Sequence, residues 1–330
     1  MSAKRQATLA AALALLTVLT AGCSSGSGAA GAGGSAGGKR YKIVYVQGMA
    51  GNPFFTSLTC GAQAEAAARG ASFDAQGGKD YSPQSQTPVL NAVIAQHPDA
   101  ILISPMAGQA MVPPLTQAKA QGIKLVFADS KAADDSLAVS EIASDNYAGG
   151  VLAAKTLATE VGDKGKVVVM GAKPGISTTD ARQQGFTDEM KNHPAITVLP
   201  PQYSESAPAT ATSKLSAVLA ADSDLTGVFA VSTQEVEGVA TGVQNAGAAG
   251  RVKVVGFDSS APILDDVRNG VVQDLVLQEP LQIGKEAVDQ ALDALEGKPT
   301  TKSVATPYVV LNKANMDAPD IAKYIYRSDC

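Results

Sequence analysis

The sequence predicts an α/β protein with two doubly wound parallel-sheet lobes, and three observations support this prediction. From Tyr41 onward, short apolar runs alternate with longer helical patterns, which is typical of repeated βαβ units. The apolar runs are continuous Val/Ile/Leu stretches, as expected for parallel strands that helices cover on both faces. About 290 residues share this pattern, too many for one small α/β layer. We therefore expect two sheets, each with its own core.

The apolar runs and the patterns between them predict the individual elements. The predicted strands are 42–46, 71–75, 100–103, 124–128, 166–170, 196–199, 227–230, 252–257 and 272–277. The clearest predicted helices are 54–70, 84–96, 147–161, 180–191 and 283–296.

The N-terminus has the pattern of an export signal. Lys4 and Arg5 precede an apolar run at 7–22, which stops at Cys23. The run has about 16 residues, fewer than the roughly 20 that a membrane-spanning helix needs. We therefore expect residues 1–22 to be removed and the mature protein to be extracytoplasmic.

The segment before Cys23 predicts a lipid anchor. Residues 19–22, Leu-Thr-Ala-Gly, resemble the lipobox of bacterial lipoproteins, in which the cysteine thiol takes a diacylglycerol. Thr20 stands where a leucine is usual, and the alternative is a plain secretory peptide with an incidental cysteine. Residues 24–38 are all Ser, Gly or Ala, a composition that behaves as a flexible coil. We expect lipid on Cys23 and a tether over 23–40.

The other two cysteines form a candidate pair. If Cys23 carries lipid, Cys60 and Cys330 remain in a compartment that permits disulfides. We expect a disulfide between them, with two separate thiols as the alternative.

Charge and motifs exclude several classes of function. The formal net charge is −5 and no basic run occurs, which argues against nucleic acid as a partner. The sequence has no GxSxG, HExxH, Walker-loop or CxxC motif, and its two histidines, His97 and His193, each precede a proline. We therefore expect a protein that is not an enzyme, with no catalytic residue, metal site or cofactor.

Polar and aromatic residues follow several of the predicted strands. Open parallel sheets bind ligands beyond the carboxyl ends of their strands. The candidates are Asn52, Phe54 and Phe55 after the first strand, Asp129 and Ser130 after the fourth, Arg182 in the helix after the fifth, Asp258 after the eighth and Gln278 after the ninth. Amides and carboxylates bond hydroxyl groups, and sugar C–H faces lie flat on aromatic rings. The set therefore suits a neutral polyhydroxylated ligand.

Four short segments carry a family resemblance: NPFF at 52–55, IASDN at 142–146, ARQQGF at 181–186 and VVGFD at 254–258. In this order and spacing they resemble the ribose-binding type of periplasmic binding protein.

The resemblance implies the type I periplasmic-binding-protein fold, in which a hinge of three crossovers joins two lobes. It places the crossovers near Ser144, Gln278 and Thr306. The implied N-terminal lobe is 41–143 plus 279–305, and the C-terminal lobe with the tail is 144–278 plus 306–330.

The resemblance also implies which residues touch a sugar. Carried over by motif, they are Asn52, Phe54, Phe55, Asp129, Arg182, Asp258 and Gln278. Ser130 stands where the family's sugar binders usually have Arg, and Ser232 with Thr233 where they have Asn-Asp. This loss of donors suggests a differently shaped sugar or an acyclic polyol instead of ribose. Tyr203 is a further candidate, as the aromatic platform of the second lobe.

Each candidate also has a structural interpretation. Asn52 and Pro53 form a turn before a helix in that interpretation, and the two phenylalanines belong to the core. Asp258 is then a helix cap, and Arg182 lies on a solvated helix face. Asp145 and Asn146 are interpreted as caps of the helix that follows the first crossover.

The resemblance implies a monomer that captures its ligand by hinge closure and delivers it to the permease and ATPase of an ABC importer. Its contact with the membrane is through lipid alone. A receptor that presents a sugar or furanose signal to a sensor is the alternative. A transcriptional regulator of the same lobed fold needs a helix-turn-helix where this chain has its N-terminal signal.

Overall fold

The computed structural model describes residues 39–330, of which Arg40–Cys330 form one compact unit. The predicted signal peptide, Cys23 and most of the predicted tether lie outside the described residues. No helix in the described range is long and apolar enough to cross a membrane.

Strands and helices alternate along the described chain. The strands are β1 (Lys42–Gln47), β2 (Ser72–Gly77), β3 (Ala100–Ile103), β4 (Lys124–Ala128), β5 (Ser140–Ser144), β6 (Gly165–Gly171), β7 (Ile196–Val198), β8 (Gln202–Tyr203), β9 (Leu225–Ala230), β10 (Lys253–Phe257), β11 (Asp274–Gln278), β12 (Ser303–Thr306) and β13 (Tyr308–Asn312). The helices are α1 (Pro53–Ala68), α2 (Pro83–Ile94), α3 (Val112–Ala120), α4 (Asn146–Glu160), α5 (Ser177–Met190), α6 (Pro208–Ala221), α7 (Thr233–Asn245), α8 (Ala261–Arg268) and α9 (Pro280–Leu295).

The strands form two sheets, each the centre of one lobe. The first has the order β12-β5-β4-β3-β1-β2, and all of its strands are parallel. The second has the order β13-β11-β10-β9-β6-β7, with β8 beside the end of β6. In this sheet β13 alone is antiparallel. Two α/β lobes with doubly wound sheets confirm the predicted fold class.

The sequence patterns missed four strands, and each for a local reason. β5 alternates buried and half-buried residues, so it is not a continuous apolar run. β8 has two residues, and β12 and β13 are mostly exposed or half-buried strands at sheet edges. The antiparallel direction of β13 follows from the connection: only Pro307 separates it from β12, so the chain enters the second sheet from the carboxyl end of the first.

The chain passes between the lobes at three places. It leaves the first sheet after Ser144, returns to it after Gln278, and leaves again after Thr306. The hydroxyls of Ser144 and Thr306 are 2.9 Å apart and hydrogen-bonded, which joins two of the crossovers directly.

Helices cover both faces of each sheet. In the first lobe, α1 and α9 pack on one face and α2 and α3 on the other. In the second, α4 and α5 pack on one face and α6 and α7 on the other. The α4–α5 pair is close because Gly150 has no side chain: a Cβ there would lie 2.0 Å from the carbonyl oxygen of Arg182. Gly150 therefore sets how near α5, and Arg182 with it, lies to the first crossover.

The end of the chain returns to the first lobe. Cys330 forms a disulfide with Cys60 of α1, with Cα atoms 5.3 Å apart, as the cysteine count predicted. Tyr326 packs in the apolar cluster of the first lobe, whereas Tyr324 packs in that of the second. The segment assigned above to the second lobe and tail thus ends against the first lobe, because the disulfide holds it there.

Candidate functional site

A cleft lies between the lobes, at the carboxyl ends of strands from both sheets. Its empty space, counting the part that is open to solvent, is about 400 Å³. Seven of the predicted ligand residues line it: Phe54, Phe55, Asp129, Arg182, Ser232, Asp258 and Gln278. The other lining residues are Tyr81, Met106, Ala172, Ile176, Thr178, Thr179 and Ser206.

Three further candidates lie outside this lining. Asn52 is the N-cap of α1: its Oδ1 accepts a hydrogen bond of 2.9 Å from the amide of Phe54. Ser130 is buried and its hydroxyl donates to the carbonyl oxygen of Pro105. Tyr203 is half-buried on β8, and its hydroxyl accepts from the Gln183 amide. These contacts fix local structure, and Asn52 lies just before a helix, as in its structural interpretation.

Asp129 follows β4 and presents an unsatisfied carboxylate to the cleft. Its backbone is in the left-handed region, with φ of +74°, and its amide donates to the carbonyl of Ile142. Within the described part of the chain, its buried Oδ1 has no hydrogen-bond partner. Burial raises the pKa of this carboxyl to about 7, with a smaller opposing effect of Arg182. The site therefore holds a strong acceptor that the protein itself leaves unused.

Arg182 is buried at the base of the cleft, where the protein itself accepts hydrogen bonds from its Nε and Nη1. Only 2% of the residue is exposed, so the solvated-face interpretation is wrong. Its Nε donates to Asn146 Oδ1 (2.8 Å), and its Nη1 donates to the carbonyl of Val231 (2.9 Å) and to Asp258 Oδ2 (3.3 Å). Its guanidinium also lies 3.7 Å from the ring centre of Phe257. Planar guanidinium groups suit such combined stacking and bonding.

Asp258 follows β10 and collects hydrogen bonds from three directions. Its φ is +72°, again left-handed. Besides Arg182 on Oδ2, Oδ1 accepts from Gln278 Nε2 (2.8 Å) and from the Tyr326 hydroxyl (2.7 Å). The capping interpretation is wrong, because the N-cap of α8 is Ser260. Asp258 instead joins the second lobe, a crossover and the tail.

Gln278 ends β11 at the second crossover and has one free polar atom. While its Nε2 bonds Asp258, its Oε1 is buried without a hydrogen-bond partner among the described residues. With Asp129 Oδ1, the cleft thus offers two buried acceptors, which call for donor groups on a ligand.

One wall of the cleft is aromatic. The rings of Phe54 and Phe55, in the first turn of α1, meet edge to face with centroids 5.3 Å apart. Tyr81 lies 5.9 Å from Phe55 by centroids. Tyr81 and Met106 were not among the candidates predicted from the sequence; Tyr81 follows β2, so the same strand-end rule applies to it. The wall offers apolar faces beside the polar groups.

Ser232 joins the cleft to a buried carboxyl group. The hydroxyls of Ser232 and Ser204 both donate to the carboxylate of Glu235. Burial raises the pKa of Glu235 to about 7, and the two hydroxyl bonds oppose that shift. Because its proton is committed to Glu235, Ser232 keeps its lone pairs for a ligand. Glu235 was not among the predicted candidates, because it lies inside α7 and does not follow a strand.

The two lobes also touch each other directly through hydrogen bonds. The amide of Gly108 donates to the carbonyl of Gly175 at 3.2 Å, and the amide of Lys131 donates to Ser177 Oγ at 3.2 Å. Each bond joins the first lobe to the second, so the structure is of a closed form.

Nothing in the described range has the arrangement of a metal site: no group of three or more His, Cys, Asp or Glu side chains is placed to hold an ion.

The two lobes, three crossovers and closed cleft define the class of two-lobed solute-binding proteins. A family model described as the periplasmic binding protein domain matches residues 43–299, and the chain belongs to that family.

Named relatives are sugar-binding proteins of import systems. The ribose import binding protein of Bacillus subtilis is 30% identical over 259 residues, which are 78% of this chain and 82% of that protein. An ABC transporter solute-binding protein of Agrobacterium vitis, solved with α-D-tagatopyranose, is 40% identical with a TM-score of 0.86, covering 87% of this chain and all of that one. Another from the same species, with bound D-fucose, is 30% identical with a TM-score of 0.82, over 86% of this chain and 100% of that one. The predicted resemblance is confirmed, and these relatives are transport proteins rather than enzymes.

Proposed function

We propose that this protein is an extracytoplasmic lipoprotein of an ABC importer, which encloses one monosaccharide between its lobes and delivers it to the permease. The observation that carries the proposal is the pair of buried, unpaired acceptors in the cleft, Asp129 Oδ1 and Gln278 Oε1. An unpaired buried acceptor costs about 1–3 kcal/mol unless a ligand donates to it. A sugar carries several neighbouring hydroxyl groups, so one molecule has enough donors for both acceptors.

The rest of the cleft favours an uncharged ligand with one apolar face. The Arg182 guanidinium is already matched by Asp258, so it does not require an anionic ligand. Phe54 and Phe55 provide aromatic surface for the C–H face of a sugar ring. A hexose or pentose in ring form satisfies both requirements better than an acyclic polyol, which has no rigid face.

The sugars bound by relatives support the same class. Those named above are associated with ribose, tagatose and fucose, and a further solved relative from Agrobacterium radiobacter holds D-arabinose. Ser232, where the family's motif has an asparagine, places a short hydroxyl in the cleft and leaves more room than an amide. We therefore propose a pyranose ligand, with D-tagatose as the first candidate.

Delivery follows from closure. A ligand that touches both lobes only in the closed form stabilises that form, and the permease and ATPase subunits then recognise it. We propose a monomer, held at the membrane solely by lipid on Cys23.

A thermal-shift panel tests the proposal. The purified protein is heated with D-tagatose, D-fucose, D-arabinose, D-ribose and the polyols of the same length. A ligand at 100 times its Kd adds about 2.7 kcal/mol, a shift of about 5 °C for a chain of this size. Asp129→Asn removes the unpaired carboxylate with little change in shape, and we expect it to abolish most of the shift.

A shift with one or two ring sugars that Asp129→Asn removes supports the proposal. No shift with any member of the panel, in protein that unfolds cooperatively, would overturn it. The sensory alternative predicts the same shifts, so gene neighbours separate the two: permease and ATPase genes support import, and a lone kinase gene supports sensing.

A further inference from the structure

The last residues of the chain form a strap between the lobes, defined here as residues 321–330. Ile321 and Tyr324 pack in the apolar cluster of the second lobe. Tyr326 packs in the cluster of the first lobe, the Arg327 amide donates to Ser57 Oγ (2.6 Å), and Cys330 is bonded to Cys60. The strap is therefore a fourth connection between the lobes besides the three crossovers, and its far end is covalently fixed.

Tyr326 reaches from this strap to the polar groups of the cleft. Its hydroxyl donates to Asp258 Oδ1 (2.7 Å) and accepts from the backbone amide of Gln278 (3.1 Å). Its ring meets the ring of Phe54 edge to face, with centroids 5.5 Å apart. One buried side chain thus contacts a cleft residue of the first lobe, a cleft residue of the second lobe and a crossover.

The position of Asp258 depends on such contacts. A positive φ is uncommon for a residue other than glycine, so surrounding contacts help to hold Asp258 in this conformation. Burial raises the pKa of the Tyr326 hydroxyl well above its ordinary value. The hydroxyl therefore stays protonated and remains a donor to Asp258 at physiological pH.

We propose that Tyr326 is a positioning residue for the sugar site, and that the Cys60–Cys330 disulfide makes sugar affinity depend on the strap. The inference rests on the proposed function. Tyr326 is anchored to the first lobe while Asp258 belongs to the second, so their hydrogen bond stabilises the closed arrangement and aims the carboxylate. Releasing the strap removes both effects at once.

Tyr326→Phe tests the inference, because it deletes the hydroxyl and keeps the ring in its cluster. Tyr324→Phe is the matched control: it lies two residues away in the same strap and is equally buried, at 8% exposure, but packs in the second lobe. The probes are D-tagatose, D-fucose, D-arabinose and D-ribose, with Kd measured by calorimetry. A hydrogen bond to a charged group predicts a Kd about 10-fold higher in Tyr326→Phe and unchanged in Tyr324→Phe.

Two further readouts separate positioning from general destabilisation. Hydrogen exchange of the Gln278 backbone amide, measured without sugar, should be faster in Tyr326→Phe but not in Tyr324→Phe, because only the first change removes the Tyr326 hydroxyl that accepts from this amide. Reduction of the disulfide, or the paired change Cys60→Ser and Cys330→Ser, should weaken sugar binding by wild type to a similar degree. Reduction or the paired cysteine change should raise the Kd of Tyr326→Phe only slightly further, since the strap no longer acts on Asp258 in that variant.

The outcomes distinguish this inference from the proposed function. An unchanged Kd in Tyr326→Phe, with faster exchange at Gln278, overturns the inference and leaves the sugar receptor standing. If reduction raises the Kd by the same factor in Tyr326→Phe as in wild type, the inference is also overturned, because the strap then acts by another route. Wild type that binds none of the probes overturns the proposed function, and the inference fails with it.

Discussion

Asp129 and Asp258 occupy equivalent places in the two lobes and have opposite surroundings. Asp129 follows β4 and Asp258 follows β10. Each of these is the third strand from one edge of its sheet, beside β5 in the first sheet and β11 in the second. Each aspartate has a positive φ, and each amide donates to a carbonyl of that neighbouring strand, Ile142 or Val276. Yet Asp258 accepts hydrogen bonds from three side chains, whereas Asp129 Oδ1 has none within the described residues.

The difference assigns different tasks to the same backbone position. Asp258 is held by the protein before a ligand arrives, so it supplies fixed geometry. Asp129 carries an unsatisfied acceptor, so it supplies the drive to bind a donor. One lobe is thus organised in advance, and the other gains most of its polar contact from the ligand.

Removing Asp258 is the strongest way to break the comparison. In Asp258→Ala the Arg182 guanidinium stays buried without its partner, and breaking a buried pair in this way costs about 3–5 kcal/mol. We expect the free energy of unfolding in urea to fall by that amount at neutral pH, with sugar binding lost. Asp265→Ala is the control, because its ion pair with Arg268 is largely exposed and contributes little. Equal stabilities of the two variants would contradict the account.

Asp129→Asn should have the reverse effect on stability. The neutral amide avoids burying a charge, so at pH 8 the ligand-free variant should be more stable than wild type by about 1 kcal/mol or more. Sugar affinity should fall about 10- to 100-fold, the loss expected for hydrogen bonds to a charged acceptor. Urea unfolding and calorimetric titration measure the two quantities. A variant that loses stability along with affinity would show that Asp129 is a structural residue like Asp258.

The pH dependence of stability and binding tests the same difference between Asp129 and Asp258, and its expected effect is smaller. The folded-state pKa of Asp129, about 7, lies above the unfolded value of 3.8, so the ligand-free fold binds more protons than the unfolded chain. Its stability contribution therefore declines as pH rises from about 4 to about 7.

Hydroxyl donors favour the ionised form of Asp129, so sugar binding at pH 7 should release about half a proton. Titrations in two buffers of different ionisation enthalpy measure this release. It should vanish in Asp129→Asn, although Glu235, whose pKa is also near 7, remains. Release that persists in the variant would assign the proton to Glu235.

The sequence was most informative where a single pattern decides the structure. Continuous apolar runs predicted β3 and β4 to the residue, because buried parallel strands need no other signal. Edge strands such as β12 are short and exposed, so their pairing depends on the neighbouring strand rather than on their own residues. The disulfide was predicted only from the number of cysteines and from the expected extracytoplasmic location of the protein.

The site was predictable to the extent that it follows strand ends and motifs. Asp129 and Asp258 directly follow strands, Gln278 ends one, and all three line the cleft. Tyr326 lies 68 residues from Asp258 along the chain, and no local pattern links them. Such contacts form between segments far apart in the chain, so tertiary structure was needed to find them.

A crystal structure of the protein with the sugar that stabilises it most tests the central claim directly. The account predicts a ligand hydroxyl oxygen within roughly 2.5–3.0 Å of Asp129 Oδ1, with Asp258 still bonded to Arg182, Gln278 and Tyr326. A sugar bound in the cleft that leaves Asp129 Oδ1 unpaired, or one bound elsewhere on the molecule, would contradict it.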